Sequence, residues 1–580
     1  MKAYLKQVLI GALSGIEHVP DDFEPELMPP ANPEHGDLAT NCALKLARHL
    51  RRSPHQIAED LVQRLASAGL DKDRIAVYEV AGPGFINFRF SSRYWYLELQ
   101  ACLDEHANYG RTQEGTGKRA LVEFVSANPT GPLTVGHGRN AVLGDTIANL
   151  LEWTGYDVTR EYYFNDAGRQ MRVLGVSVRG RCDELLADAS QPFAREPKAV
   201  AHRQRYATKK LVSGRGQPVA VSTTFPDDGY LGSYITDIAQ ALVNERRLSL
   251  LEETGTEVFT AAAKLVIFTD IKATLQRLGI RMDTYFNEHS LYESGAVAET
   301  LEALRAAGFV YEKDQAQWLK TTDLGKEKDT VLVKRSGEPT YRLPDIAYHR
   351  NKCVRGYDVI IDIFGADHIA TYPDVLRGLR ILGYDDSRVE VIIYQFVTLV
   401  CGGEEVKMST RKANFVTLDE LIEDVGPDVT RYFFLMRSAQ RHLEFDLDLA
   451  REASDKNPVF YLQYAHARIC SILRKAKETG FVFDRDIDLT QLTHTAELAL
   501  IKEIVQFPQV VARIALAREP HRLTSYLRGV AEAFTRFYHA CRIIGEPSLL
   551  ATARMALAQA TRVVLRNGLS ILGLAAPTHM

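Results

Sequence analysis

Hydrophobic periodicity changes once along this chain, near residue 455, and does not change back. Before that point strand-patterned and helix-patterned runs alternate; after it every periodic segment, including YLQYAHARICSILRKAK, LALIKEIVQFPQVVARIAL and PHRLTSYLRGVAEAFTRFYHACRII, has helical spacing. At 580 residues the chain is also too long for one hydrophobic core. The pattern predicts three units: a small α+β unit over 1–108, an α/β unit over 109–455, and an all-α helix bundle over 456–580. In the first, Ser53-Pro54 is a helix start and GFINFRF (84–90) a strand. The polar, glycine-rich segment 108–119 reads as a linker.

The α/β unit opens with the apolar run ALVEFVSANP, a Gly/Pro-rich turn, a helix-patterned stretch through GRNAVLGDTIANLLEWTGY, and a second strand, DVTREYYFND. This is a βαβ unit, the beginning of a doubly wound sheet. From about 170 to 320 the pattern is mostly helical around a polar stretch too long for an ordinary connection, which marks an insertion. Strand-like runs return at 328–335, 357–365 and 388–400, where the sheet is expected to resume.

Charge is uneven although the net value is only −4: from Lys456 onward 16 Lys/Arg face 9 Asp/Glu, leaving 54 against 65 before it. This basic C-terminal portion points to a polyanionic partner. The seven cysteines are scattered, without a CxxC pair or a Cys/His cluster, so neither disulfides nor structural zinc is expected. No apolar run approaches bilayer length, and the N-terminal segment is patterned as a short amphipathic helix without a convincing cleavage site. The chain is read as cytoplasmic, with no membrane partner.

Two loops carry the chemistry. The first βα turn runs Thr134-Val135-Gly136-His137-Gly138 into a helix, where free backbone N–H groups and the positive helix end suit phosphate. Some 270 residues later, after a strand, stands Lys407-Met408-Ser409-Thr410-Arg411-Lys412, a basic loop able to close on a triphosphate. Singly, the histidine reads as a helix cap and the basic run as solvated surface. Together they resemble the paired ATP-binding motifs, HIGH and KMSKS, of class I aminoacyl-tRNA synthetases.

Within that class the chain resembles the arginyl-tRNA synthetase family over almost its whole length. The matching segments are EFVSANPTGPLTVGHGRNAVLGD, YFNDAGRQ (163–170), YRLPDIAYHR (341–350), FGADH (364–368), VKMSTRK with FVTLDELIEDVGPDVTRYFFL, and NPVFYLQYAHARI (457–469). The resemblance implies a class I Rossmann-type catalytic domain with an insertion, an N-terminal additional domain that meets the corner of the tRNA, and a C-terminal helical anticodon-binding domain. It implies ATP-dependent activation of arginine and transfer to tRNA(Arg), with Mg²⁺ accompanying ATP and arginine activation dependent on tRNA; a monomer is the expected working unit. ATP would be held by Thr134, Gly136, His137, Lys407, Met408 and Ser409, with His137, Lys407 and Arg411 catalytic. Glu123, Tyr341 and Asp345 would surround the guanidinium; Asn128 and His368 would hold the α-amino end. An arginine side chain keeps its charge, so paired carboxylates such as Glu123 and Asp345 suit it. Tyr461 and Arg468 would meet the anticodon arm, and Asn87 the tRNA corner.

Two positions depart from the family pattern: Thr134 replaces the first histidine of HIGH, and Thr410 the second lysine of KMSKS. Some members carry a compensating lysine just before HIGH; here that stretch is Thr130-Gly131-Pro132. Lys407, Arg411 or Lys412 is left to neutralise departing pyrophosphate. The competing readings are another class I synthetase, a small nucleotidyl transferase with a related turn, and a catalytically silent RNA-binding paralogue. Absent zinc ligands argue against the cysteine enzyme, an acidic pocket against the glutamate enzyme, the helical C-terminal tail against the small transferases, and an intact set of pocket residues against the paralogue.

Overall fold

A computed structural model describes residues 1–30, 32–212, 218–406, 416–478 and 487–580. Its centre is a five-stranded parallel sheet formed by β1 (Arg119–Glu123), β2 (Asp157–Phe164), β3 (Thr284–Asn287), β4 (Val359–Gly365) and β5 (Val389–Tyr394). The order is β5-β4-β1-β2-β3, so the strand order reverses between β1 and β4 and leaves a crevice at their carboxyl ends. Ala120, Leu121 and Val122 are buried in β1, the continuous apolar run a strand covered on both faces needs. Helix α1 (Val135–Trp153) follows β1 and is buried on nearly every side. Helix α2 (Arg342–Val354) precedes β4 and covers the sheet with Ile346, Ala347 and Tyr348.

Three strand readings change. β3 lies inside the segment taken as insertion; it is four residues long and only half-buried, so it lacks the apolar run that marks a central strand. The run at 328–335 does form a strand, Thr330–Val333, but in a separate antiparallel sheet with Val310–Lys313 and Ala316–Leu319. The run 388–400 is two strands. It breaks at Gln395, whose carbonyl accepts from Arg139 Nη1 at 2.6 Å, and Val397–Cys401 then pairs with Leu443–Asp446 in another sheet.

The N-terminal unit is a three-stranded antiparallel sheet with Phe85–Phe90 between Leu38–Thr40 and Ile75–Ala81, covered by helices. Ser53 caps the helix Pro54–Ser67 through the Gln56 N–H. From Pro458 onward the described residues contain helices and no strand. The last long helix, Ser548–Leu572, meets both other units: Asn567 Nδ2 donates to His106 O and Tyr109 O, and Ile571 O accepts from Asn149 of α1 at 3.0 Å. One continuous apolar core therefore runs through all three units.

Candidate active site

The crevice is built by a turn that local preference alone would not choose. Val125 and Ser126, directly after β1, have φ of +66° and +41°, a region costly for a β-branched residue. Asn140 of α1 holds it there: its Oδ1 accepts from Val125 N at 2.7 Å while its Nδ2 donates to Ile363 O of β4 at 2.9 Å. Ser126 Oγ donates to Glu123 Oε1 at 2.8 Å and accepts from Tyr163 N at 3.1 Å. Such strain, over-determined by side-chain bonds, is a feature of ligand sites.

At the start of α1, the Thr134 backbone N–H donates to His137 Nδ1 at 3.1 Å. An accepting Nδ1 leaves the proton of the neutral ring on Nε2. Burial pushes His137 down to about 4, with Asp367 opposing. The imidazole is therefore neutral at pH 7 and retains one N–H donor. A Cβ on Gly136 would meet only Thr134 Oγ1 at 3.7 Å, so the backbone there is open to a ligand. Thr134 forms an isolated bridge with Thr417, and Leu418 N donates to Leu133 O at 2.8 Å. Lys407, Met408, Ser409, Arg411 and Lys412 lie outside the described residues.

Beside this phosphate-type turn the crevice is acidic. Asp345, in the first turn of α2, receives no hydrogen bond or ion pair on its carboxylate from the described residues. Burial pushes it up to about 6, with Glu123 adding to the effect and His349, His368 and Lys352 countering it. Glu288, directly after β3, is buried and pushed up to about 7, first by burial and then by Asp345 and Asp166. The buried Tyr163 hydroxyl lies against the Glu288 carboxylate and holds back its rise, although the pair falls short of good hydrogen-bond geometry. Glu123 is also buried, but its Oε2 already pairs with the Lys352 ammonium.

The other expected residues spread over a wider rim. Tyr341 is 67 % exposed at the start of α2. His368 is exposed and stacks on Phe364 at 5.1 Å, and Asn128 is exposed in the turn after β1. Sequence pattern missed Glu288, which follows a strand of four residues, too short to be recognised. It also missed Lys352, although Asp345, His349 and Lys352 have the i, i+4, i+7 spacing of one helix face.

In the helical unit, a groove of about 900 Å³ is bordered by Tyr464, Arg468, Arg474, Lys475, Tyr538 and Arg542. The Arg468 guanidinium lies 4.8 Å from the Tyr464 ring centre and 5.1 Å from that of Tyr538, and both rings are partly open to solvent. Tyr461 instead faces inward, its hydroxyl 3.4 Å from Thr535 Oγ1. Asn87 is 5 % exposed within the N-terminal sheet and is not presented on its surface.

Three family models match successive parts of the chain: an arginyl tRNA synthetase N-terminal domain over 2–90, a class I tRNA synthetase (R) catalytic domain over 98–431, and a DALR anticodon binding domain over 462–580. An arginine–tRNA ligase of Salinibacter ruber is 57 % identical over 580 residues, all of both chains. The chain belongs to the arginyl-tRNA synthetase family. A second arginine–tRNA ligase, from Desulfotalea psychrophila, is 48 % identical over 95 % of this synthetase and 94 % of its own length. The solved arginyl-tRNA synthetase of Thermus thermophilus shares the fold across both whole chains, with a TM-score of 0.74 at 23 % identity.

Proposed function

We propose that this synthetase activates arginine with ATP in the crevice between β1 and β4 and transfers it to the 3′ end of tRNA(Arg). The observation that carries the reading is the half-buried Asp345 carboxylate, unpaired among the described residues, with the buried Glu288 near it. A permanently charged guanidinium is the partner such a pair lacks. Tyr341 closes over the side chain, and Asn128 and His368 meet the α-amino end.

ATP lies along the N-terminus of α1, its phosphates over Gly136 and next to the Nε2–H of His137. The arginine carboxylate attacks the α-phosphate in line and pyrophosphate leaves; Lys407, Arg411 and Lys412 supply positive charge to it, with Met408 and Ser409 in the same loop and Thr134 fixing the imidazole. Positioning and preorganised donors account for most of the rate. Mg²⁺ would accompany ATP and help neutralise its phosphates. A terminal ribose hydroxyl of the tRNA then takes the arginyl group from the adenylate. Anticodon bases stack on Tyr464 and Tyr538, with Arg468 and its neighbours at the phosphates. We assign the work to a cytoplasmic monomer, which sedimentation equilibrium of the purified protein would test.

ATP–pyrophosphate exchange, run with each amino acid in turn and with or without total tRNA, tests the reading directly. Exchange confined to arginine and appearing only with tRNA is the expected result. Absence of exchange with every amino acid, in a folded preparation that still binds tRNA, would return the chain to the silent RNA-binding alternative.

A further inference from the structure

Beneath the arginine crevice the central sheet carries a row of three carboxylates. Asp362 of β4 is in register with Glu123 of β1, and Glu123 with Glu161 of β2, so the three side chains stand next to one another on one face. Their exposures are 0, 2 and 0 %. Adjacent like charges in a sheet repel, and buried ones pay heavily for lost hydration. Helix α2 answers each of them from a single face. Lys352 Nζ bridges Glu123 Oε2 and Asp362 Oδ1, the latter at 2.6 Å. His349 Nε2 lies 2.9 Å from Asp362 Oδ2, and its Nδ1 2.8 Å from the Asp345 carbonyl oxygen. Tyr348 Oη donates to Glu161 Oε1 at 2.6 Å, and Arg355, just past the helix end, pairs with both Glu161 oxygens at 2.5 and 2.7 Å.

Tyr348, Lys352 and Arg355 are spaced i, i+4, i+7, and Asp345 sits one turn nearer the N-terminus on the same face. The rotation and the axial position that satisfy the acid row therefore also decide where Asp345 stands. Apolar side chains at these positions would hold the helix on the sheet as firmly. They would not fix its register, because apolar contact is non-directional whereas Lys352 must reach two fixed carboxylates at once and Arg355 grips Glu161 bidentately.

We propose that Lys352 is a positioning residue for arginine: by bridging Glu123 and Asp362 it locks the register of α2 on the sheet and so sets the Asp345 carboxylate where the guanidinium binds. The inference rests on the assignment of Asp345 to the arginine pocket. Lys352 itself is fully buried and touches no substrate.

The test compares wild-type enzyme, Lys352→Met, Lys352→Met/Asp362→Asn and Asp345→Asn in tRNA-dependent pyrophosphate exchange, with thermal unfolding alongside. Lys352→Met leaves two buried carboxylates without their cation and should lower the melting temperature. The double variant removes one of the two carboxylates that lost the cation, so part of the lost stability should return. In both, the KM for arginine should rise about tenfold or more while kcat changes by less than about threefold and the KM for ATP stays put, as displacement of one binding group requires. Recovery of arginine KM together with melting temperature in the double variant would reduce Lys352 to a structural counter-charge and overturn the proposal. An unchanged arginine KM in Asp345→Asn would instead bring down the pocket assignment, and the proposal with it.

Discussion

Asp345, proposed above to meet the guanidinium, is carried at the expense of the fold. Its carboxyl sits at about 6 because burial disfavours the charge, so the folded protein binds this proton more readily than the unfolded chain does. For an acid raised in this way the penalty is full above pH 6, shrinks as pH falls, and is gone once the unfolded carboxyl also protonates, near pH 4. Asp345→Asn should therefore stabilise the protein by about 2 kcal/mol at pH 7.5, and by clearly less at pH 5, in urea unfolding. The same change should raise the arginine KM of exchange steeply, the usual opposition of stability and activity at a proposed binding residue. A variant no more stable than wild type at pH 7.5 would show that the carboxylate finds a partner in the free enzyme. His137 makes the complementary case, a neutral ring kept neutral by burial and aimed by its bond to Thr134 N. Removing one preorganised donor to developing charge typically costs about 100- to 1000-fold in kcat. His137→Ala should fall in that range in pyrophosphate exchange while leaving the KM for arginine nearly unchanged; equal losses in both would place the imidazole at the amino acid instead.

At the scale of elements, the turn before α1 and the segment after the KMST motif are tied together by the Thr134–Thr417 bridge and the Leu418-to-Leu133 hydrogen bond. Gly138 permits this closeness. A Cβ there would stand 2.6 Å from Leu418 Cδ1 and 2.9 Å from Phe434 Cε2, so α1 meets the helices Leu418–Val425 and Pro427–Leu435 without a side chain between them. Gly138→Ala should push these elements apart, costing about 1–3 kcal/mol as overpacking does. It should also lower kcat for exchange by more than it raises the arginine KM; wild-type kcat would mean that the spacing of the two motifs is not critical. The sequence made α1, β1, β2 and β4 legible because apolar runs and a Gly/Pro turn mark a βαβ unit. It hid β3, whose four residues, three half-buried and one exposed, carry no such run, and with it Glu288. It also joined β5 to the next strand, since nothing in RVEVIIYQFVTLV marks the break that Arg139 stabilises from 256 residues away. The turn strain at Val125 was likewise invisible, being imposed by Asn140 on the next helix.

For the whole molecule the question is how a catalytic unit and a helical tRNA-binding unit share one core. Arg431 gives part of the answer. It is 1 % exposed and reaches three distant segments at once: Nη2 to Asp145 of α1 at 2.5 Å, Nε to Leu572 O at the end of the last long helix at 2.9 Å, and Nη1 to Leu278 O at 2.9 Å. Gly573, at φ +69°, ends that helix against the guanidinium, and any side chain there would strike it. Arg160 also faces Asp145, at 3.6 Å, so the carboxylate keeps one cation if Arg431 is lost. The two carbonyls do not, and a buried acceptor stripped of its donor costs more than the bond contributed. Arg431→Met should accordingly destabilise by about 3 kcal/mol, the lower part of the range for breaking a buried ionic cluster, because Asp145 remains paired. Urea unfolding followed by tryptophan fluorescence would measure it. The loss should fall on the junction and not on the crevice, leaving the KM for arginine and for ATP within about twofold of wild type while the KM for tRNA rises, since only the tRNA spans both units. A variant of wild-type stability would mean that the apolar core alone joins the units, and an altered arginine KM would mean that the junction and the crevice are coupled.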